Sequence, residues 1–269
     1  MPPPPVLVVA HRGSSGEQPE HTLAAYEAAV AEGADALECD VRLTRDGHLV
    51  CVHDRKVNRT SDGRGVVSSL ELADLAELDF ASWKDRGTGA VWAGEEPDGE
   101  RGRVLTLETL LRLVLDCERP VQLHIEAKHP TRYGGFVERA LVALLARYGL
   151  ATPATRASSR VTVMSFAPTS LRRVHALAPA LPTVLLMERL LVHRRDGSLP
   201  PRVGAVGASV DLLRAHPRYP QRVHERGGRL HVYTVDEPAD IDLVLGLGVD
   251  AVISNHPRRV LRSLGRSVP

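Results

Sequence analysis

Side chains of the kinds that handle metal ions and phosphate fall in short, spaced groups: His11-Arg12, Glu38 with Asp40, His53-Asp54, and Glu126 with Lys128. Glu38, Asp40 and Glu126 are hard oxygen donors with no cysteine or three-histidine set to go with them. That favours one divalent cation of the Ca2+, Mg2+ or Mn2+ kind over zinc. Arg12 offers a planar fork for phosphate oxygens, and Lys128 a point charge. His11 and His53, on opposite sides of a metal-bound phosphate, suit an acid and a base near neutral pH. Such a set is equipment for phosphoester cleavage. Glycoside hydrolysis by a carboxylate pair would leave the Arg, Lys and His unexplained.

Local rules bring part of this set together. Asp46-Gly47 is a hairpin signal, because a tight turn needs positive φ and glycine supplies it without steric cost. A two-residue loop there sets Arg45 opposite His48 and, further down the ladder, Asp40 opposite His53. Glu38 shares that face, since strand side chains alternate. In this register Cys39 and Cys51 point to opposite faces and cannot bridge. With Cys117 the chain has three cysteines, read as buried reduced thiols of a cytoplasmic protein.

The elements that must carry these residues alternate. Val6–Ala10 is a continuous apolar run, the pattern of a strand covered on both faces. A helical stripe follows over Thr22–Glu32 and stops at Gly33, and Ala36–Val41 is a second strand. Further strand-like runs lie at Val121–Ala127, Arg160–Ser165, Thr183–Met187, Ala205–Val210, Leu230–Val235 and Ala251–Ser254. Helical patterns sit between most of them, at Leu105–Asp116, Gly135–Tyr148, Pro168–Leu177, Arg218–Arg226 and Pro238–Leu247. Eight strand–helix units predict an α/β fold of the (β/α)8 TIM barrel type, one domain over residues 1–269, with a hairpin after the second strand. An open doubly wound sheet is the rival, but its glycine-rich turn appears only loosely as Gly13-x-x-Gly16. Residues 55–103 break the rhythm. They read as an inserted lid-like segment, with a helical pattern at Leu70–Leu78 and a disordered tip near Glu95–Arg103.

In such a barrel, polar residues at the C-terminal strand ends line the active site. Those ends carry His11-Arg12, Glu38-Cys39-Asp40, Glu126-Ala127-Lys128, Ser165-Phe166, Tyr233-Thr234 and Asn255-His256. Ser165 has no nucleophile-elbow flanks and reads as a rim hydrogen-bonder. His124, one layer below Glu126, reads as a satisfied core histidine. The arginines at 258, 259, 262 and 266 read as a solvated helix face. A net charge of +1 gives no broad field for nucleic acid or an anionic membrane. No apolar run approaches the ~18 residues of a membrane span, and the opening Met1-Pro2-Pro3-Pro4-Pro5 has no signal-peptide pattern. The oligomeric state is left open.

The motifs Ala10-His11-Arg12-Gly13, Pro19-Glu20-His21-Thr22, Glu38-Cys39-Asp40-Val41, Val52-His53-Asp54 and Ile125-Glu126-Ala127-Lys128 resemble the glycerophosphodiester phosphodiesterase family. Asn58-Arg59-Thr60 with Asp62-Gly63-x-Gly65 resembles the start of that family's insertion, and Leu105-Thr106-Leu107-Glu108 the return to the barrel. The resemblance implies hydrolysis of glycerophosphodiesters to glycerol 3-phosphate and an alcohol, with one divalent cation. Carried over by motif, Glu38, Asp40 and Glu126 hold the metal, His11 and His53 are the acid–base pair, and Arg12 and Lys128 hold phosphate. His11 is assigned as acid and His53 as base. Three positions depart from the family pattern. His21 stands for the usual Asn, with little functional effect expected because Thr22 can take over the helix cap. Tyr233 stands for Trp as the aromatic face for glycerol. Ser254-Asn255 stands for Thr-Asp, which removes a charge from the rim. A lysophospholipase D-like activity would need an apolar wall, for which Phe80 and Trp83 are available. A catalytically weak binding protein on the same scaffold would be expected to lack a histidine or a metal carboxylate, and neither is missing.

Overall fold

The computed structural model describes residues 5–84, 102–131 and 134–266. Val8, Val9 and Ala10 have no exposed surface, as a strand covered on both faces requires. They belong to β1 (Leu7–His11), the first of nine strands among the described residues. The others are β2 (Ala36–Leu43), β3 (Leu49–Cys51), β4 (Gln122–Ala127), β5 (Val161–Ser165), β6 (Thr183–Met187), β7 (Ala205–Ser209), β8 (Arg229–Tyr233) and β9 (Ala251–Ser254). β1 pairs in parallel with both β2 and β9, which closes eight parallel strands into a barrel. β3 adds to β2 antiparallel, outside the closed ring. The expected (β/α)8 architecture is present, with strand bounds within one or two residues of the apolar runs.

Alternation along each strand sorts two cores. Val9, Ala36, Met164, Val184, Leu186, Ala205, Ala251 and Ile253 pack together as the barrel interior. Their strand neighbours Val8, Ala10, Leu37, Val163 and Leu185 face the helices in two larger clusters. Burying each large aliphatic contributes roughly 1.5–3 kcal/mol. The helices start where capping chemistry places them. Thr22, Thr106 and Ser209 each accept a backbone N–H in the first turn, and Pro168, Pro238 and Pro257 open theirs. Gly13, at φ +85°, lets the chain leave β1 against the first helix, where a Cβ would lie 2.6 Å from the Ala25 backbone.

The hairpin differs from the expected register. Val41 faces Cys51, Arg42 faces Val50 and Leu43 faces Leu49, so the loop is the three residues Arg45-Asp46-Gly47. Gly47 takes the left-handed position at φ +91°, the geometry of a turn followed by a bulge. Asp46 accounts for the extra residue. Its carboxylate accepts from the Thr44 hydroxyl (2.6 Å) and from the Leu72 N–H (3.1 Å), tying the turn to the helix Leu72–Ala76. A one-residue slip flips the returning arm. Val52, not His53, lies against Asp40, donating its N–H to the Asp40 carbonyl at 3.0 Å. Cys39 and Cys51 therefore share one face, both buried with free thiols, contrary to the expected opposition.

Of the insert, residues 55–84 pack as a satellite core of Val57, Val67, Leu75 and Phe80 against Val50 and Val52. The Phe80 N–H donates to the Gly102 carbonyl at 2.8 Å and closes the base of the excursion. The helical pattern at 70–78 appears as Leu72–Ala76. Most of the expected disordered tip lies outside the described residues.

Candidate active site

Glu38 and Asp40 alternate onto the inner face of β2, and Glu126 lies beside Asp40 because the parallel register sets those two residues opposite each other. One oxygen or more from each lies within 4.8 Å of the others, all three side chains buried. Burial and the Asp40 charge push Glu38 well above the usual carboxylate range and Glu126 from 4.5 to about 7. Burial would raise Asp40 too, but His21, Lys128 and Arg12 outweigh it and hold its carboxyl well below the usual range. Lys128 Nζ stands 3.2 Å from Asp40 Oδ1 and 2.9 Å from Glu126 Oε1. Arg12 Nε stands 3.1 Å from Asp40 Oδ2, and its Nη1 donates to Glu20 Oε1 at 3.1 Å. Three crowded buried carboxylates at the strand ends form a donor set that fits a hard divalent cation.

The crowding of these carboxylates has a consequence for stability when no cation is bound. The folded pKa of Glu126 lies above its unfolded value, so its contribution to stability falls as pH rises from 4.5 through about 7. In chelator, the wild type should lose up to ~3 kcal/mol across that window relative to Glu126→Gln. Saturating divalent cation should abolish the loss. Denaturant unfolding at a series of pH values measures it, and identical pH profiles for the two proteins would refute it.

His11, at the end of β1, is oriented from β9. Its Nδ1 lies 2.7 Å from Asn255 Oδ1, an acceptor, so Nδ1 carries the proton and Nε2 is left free. The amide is oriented in turn, because Asn255 Nδ2 donates to Asp236 Oδ2 at 2.6 Å and Ser15 Oγ donates to Asn255 Oδ1 at 2.8 Å. The charge expected to be lost at Asn255 is thus present next door, on Asp236. His11 Nε2 looks toward Glu38 Oε2 at 3.9 Å. Burial, aided by the Arg12 charge, lowers its pKa to about 4.

His53 reaches the mouth by a different route from the one the hairpin rule gives. It follows β3, and its carbonyl accepts from Arg42 Nε and Nη2 at 3.0 and 2.6 Å. Nδ1 lies 2.8 Å from Asp54 Oδ1. Burial lowers its pKa, while Asp40 and the bonded Asp54 pull the other way. Arg59, from the insert, donates to Asp54 and to both oxygens of Glu20, linking the His53 partner to the Arg12 partner. Lys84 fastens the insert to the loop after β1, donating to the carbonyls of Gly16 (2.9 Å) and Gln18 (2.8 Å). Arg59→Ala should cut kcat by about 10–100-fold with little change in melting temperature. Steady-state kinetics beside thermal unfolding checks this, and unchanged kcat would sever Arg59 from the site.

Tyr233, from β8, lines a small cleft with His11, Glu38, Glu126 and Phe166. Its ring meets Phe166 edge-on at 6.0 Å, and its hydroxyl is buried without a hydrogen-bond partner among the described residues. Ser165 is the expected hydrogen-bonder, donating to the Ala127 carbonyl at 3.0 Å. His21 makes contacts of its own. Thr22 caps the helix as expected, but His21 Nε2 contacts Asp40 Oδ2 at 2.9 Å and Nδ1 contacts the Tyr26 hydroxyl at 2.8 Å. Its φ of +61° belongs to a region where Asn, Asp and His are enriched, which is the signal the residue type carried. Phe80 is buried in the satellite core and offers no apolar wall at the mouth.

Residues 11–259 match the glycerophosphoryl diester phosphodiesterase family. The chain belongs to that family. It is 47% identical over 255 residues to a Mycobacterium tuberculosis protein named "Probable glycerophosphodiester phosphodiesterase 1", covering 94% of this chain and 90% of that protein. It is 36% identical over 257 residues to the Bacillus subtilis glycerophosphodiester phosphodiesterase, covering 95% and 85%. An Oleispira antarctica phosphodiesterase, solved with the product sn-glycerol-3-phosphate, superposes with a TM-score of 0.81 at 23% identity over 96% of each chain. That likeness speaks for the barrel fold. With its relatives, this member of the glycerophosphoryl diester phosphodiesterase family is an enzyme of the phosphoric diester hydrolase class. Among the described residues no helix is long and apolar enough to cross a membrane.

Proposed function

We propose that the chain hydrolyses glycerophosphodiesters to glycerol 3-phosphate and an alcohol, using one divalent cation held by Glu38, Asp40 and Glu126. The observation that carries this reading is the three-carboxylate cluster at the strand ends, flanked by two cations and two hydrogen-bonded histidines. The cation, Ca2+, Mg2+ or Mn2+, would supply positive charge to the phosphate oxygens. Arg12 and Lys128 hold the same group. The guanidinium has five N–H donors, and its pairs with Asp40 and Glu20 use two of its nitrogens. Tyr233, which lines the cleft, offers the glycerol its ring.

The histidine contacts favour the reverse of the roles assigned from sequence. His11 is neutral, and Asn255 keeps the proton on Nδ1, so Nε2 presents a lone pair. It serves as the base, taking the proton of the attacking hydroxyl, which is water or the substrate's own glycerol hydroxyl. The latter passes through a cyclic phosphate. His53, with Nδ1 bonded to the Asp54 carboxylate, serves as the acid and protonates the leaving alkoxide. The residues 55–84 act as one wall of the mouth through Arg59 and Lys84.

Phosphorus NMR of a panel of glycerophosphodiesters and lysophospholipids, with and without chelator, tests the reading. Glycerol 3-phosphate should appear from glycerophosphodiesters only when divalent cation is present. Turnover confined to lysophospholipids would replace it with a lysophospholipase D-like activity. Binding without turnover of any substrate would make the chain a phosphodiester-binding protein.

A further inference from the structure

The other end of the barrel holds a second chamber. Leu7, Gln122, Ala205 and Arg229, the first residues of β1, β4, β7 and β8, border a cavity of about 290 Å3. The carboxylate cluster lies toward the opposite ends of the strands. The chamber has room for a phosphate group with several waters, or for a small phosphomonoester. Small residues make the space, Gly204 and Ala205 among them.

Its wall carries polar groups among the apolar ones where a barrel floor is ordinarily packed with aliphatics. His124 from β4 and His231 from β8 line it, stacked with ring centroids 5.4 Å apart and planes 16° from parallel. They are 1% and 6% exposed. Nδ1 of each is buried without a hydrogen-bond partner among the described residues. Buried polar atoms are nearly always paired, so a stacked pair of imidazoles with an orphaned nitrogen on each sets this end of the barrel apart. His124 is the core histidine expected, but its Nδ1 has no hydrogen-bond partner among the described residues.

The charges on the wall decide what chemistry fits. Arg156 and Arg229 line the chamber and are themselves solvent-exposed, and among the described lining residues there is no carboxylate. Two guanidiniums repel a metal ion. An uncharged guest would leave them unused. A tetrahedral oxyanion matches the guanidinium fork, and the Gln122 amide and the Thr162 hydroxyl among the lining residues add neutral donors. Arg156 Nη1 donates to the Arg202 carbonyl at 2.9 Å, which steadies that side chain and leaves its other N–H groups for a guest.

We propose that this chamber is a second binding site for a small oxyanion of the phosphate or phosphomonoester class, held by Arg156 and Arg229 over the His124–His231 pair. It is independent of the reaction assigned to the carboxylate end. Imidazole NMR of the full chain labelled with 15N-histidine tests it, with inorganic phosphate and sn-glycerol 3-phosphate titrated separately. At least one of the two should shift the His124 and His231 signals saturably. A response to phosphate assigns the bare group, and a response to glycerol phosphate alone assigns a phosphomonoester. In the double variant Arg156→Leu/Arg229→Leu the saturation should weaken by about tenfold or more. The shifts of His11 and His53, and the rate of diester hydrolysis, should stay as in the wild type. Silence of both signals at about 10 mM of either anion, or equal shifts in the double variant, would overturn the proposal. So would a response to Zn2+ with none to the anions.

Discussion

Replacing His11 or His53 with alanine should slow hydrolysis of glycerophosphocholine by about 10²–10⁴-fold, the usual worth of general acid–base assistance. The two variants should part company when the leaving group changes. A nitrophenolate departs without protonation, so loss of the acid matters little on a nitrophenyl ester and loss of the base matters fully. The hydrogen bonds predict that His53→Ala is largely rescued and His11→Ala is not. The opposite pattern would restore the roles assigned from sequence. Equal losses on both substrates would exclude either simple role, and wild-type turnover in one variant would make that histidine structural.

Asp40→Asn should have the second large effect, on two observables at once. Hydrolysis should fall by about 10²–10³-fold or more, as when a preorganised charge at a transition state is removed. Stability should fall as well, because Arg12 and Lys128 both pair with this one buried carboxylate. Stripping one partner from a buried ion pair typically costs ~3–5 kcal/mol. Kinetics and denaturant unfolding measure the two losses. Full activity in metal-stripped Asp40→Asn protein would remove Asp40 from the metal site.

The barrel was legible because its signals are local and repeated. Each strand is a short, mainly apolar run bounded by breakers, and the polar rim residues lie within the C-terminal part of such a run or just past it. Period-two alternation is enough to place Glu38 and Asp40 on one face. The hairpin register was not legible. The loop takes its third residue because Asp46 also holds the Leu72 N–H, a contact that no turn rule contains. His53 was found for its type and neighbourhood, although the pairing offered for it is wrong. His21 was visible only as a departure from a motif, and its contact with Asp40 depends on a left-handed backbone. Asp236 escaped notice because its work is done through Asn255, from a different strand end. His124 could be placed in the barrel interior, but its partner His231 comes from a distant part of the chain, across the barrel.

The central claim is that one divalent cation on the Glu38–Asp40–Glu126 cluster is what makes this barrel a phosphodiesterase. The most direct test titrates chelator-stripped protein with Mn2+ and follows bound metal and glycerophosphocholine hydrolysis on the same samples. The account predicts one metal per chain, activity rising in step with occupancy, and neither binding nor activity in Glu126→Gln at the same metal concentrations. Full hydrolysis before any metal is added, or wild-type metal binding by Glu126→Gln, would contradict it.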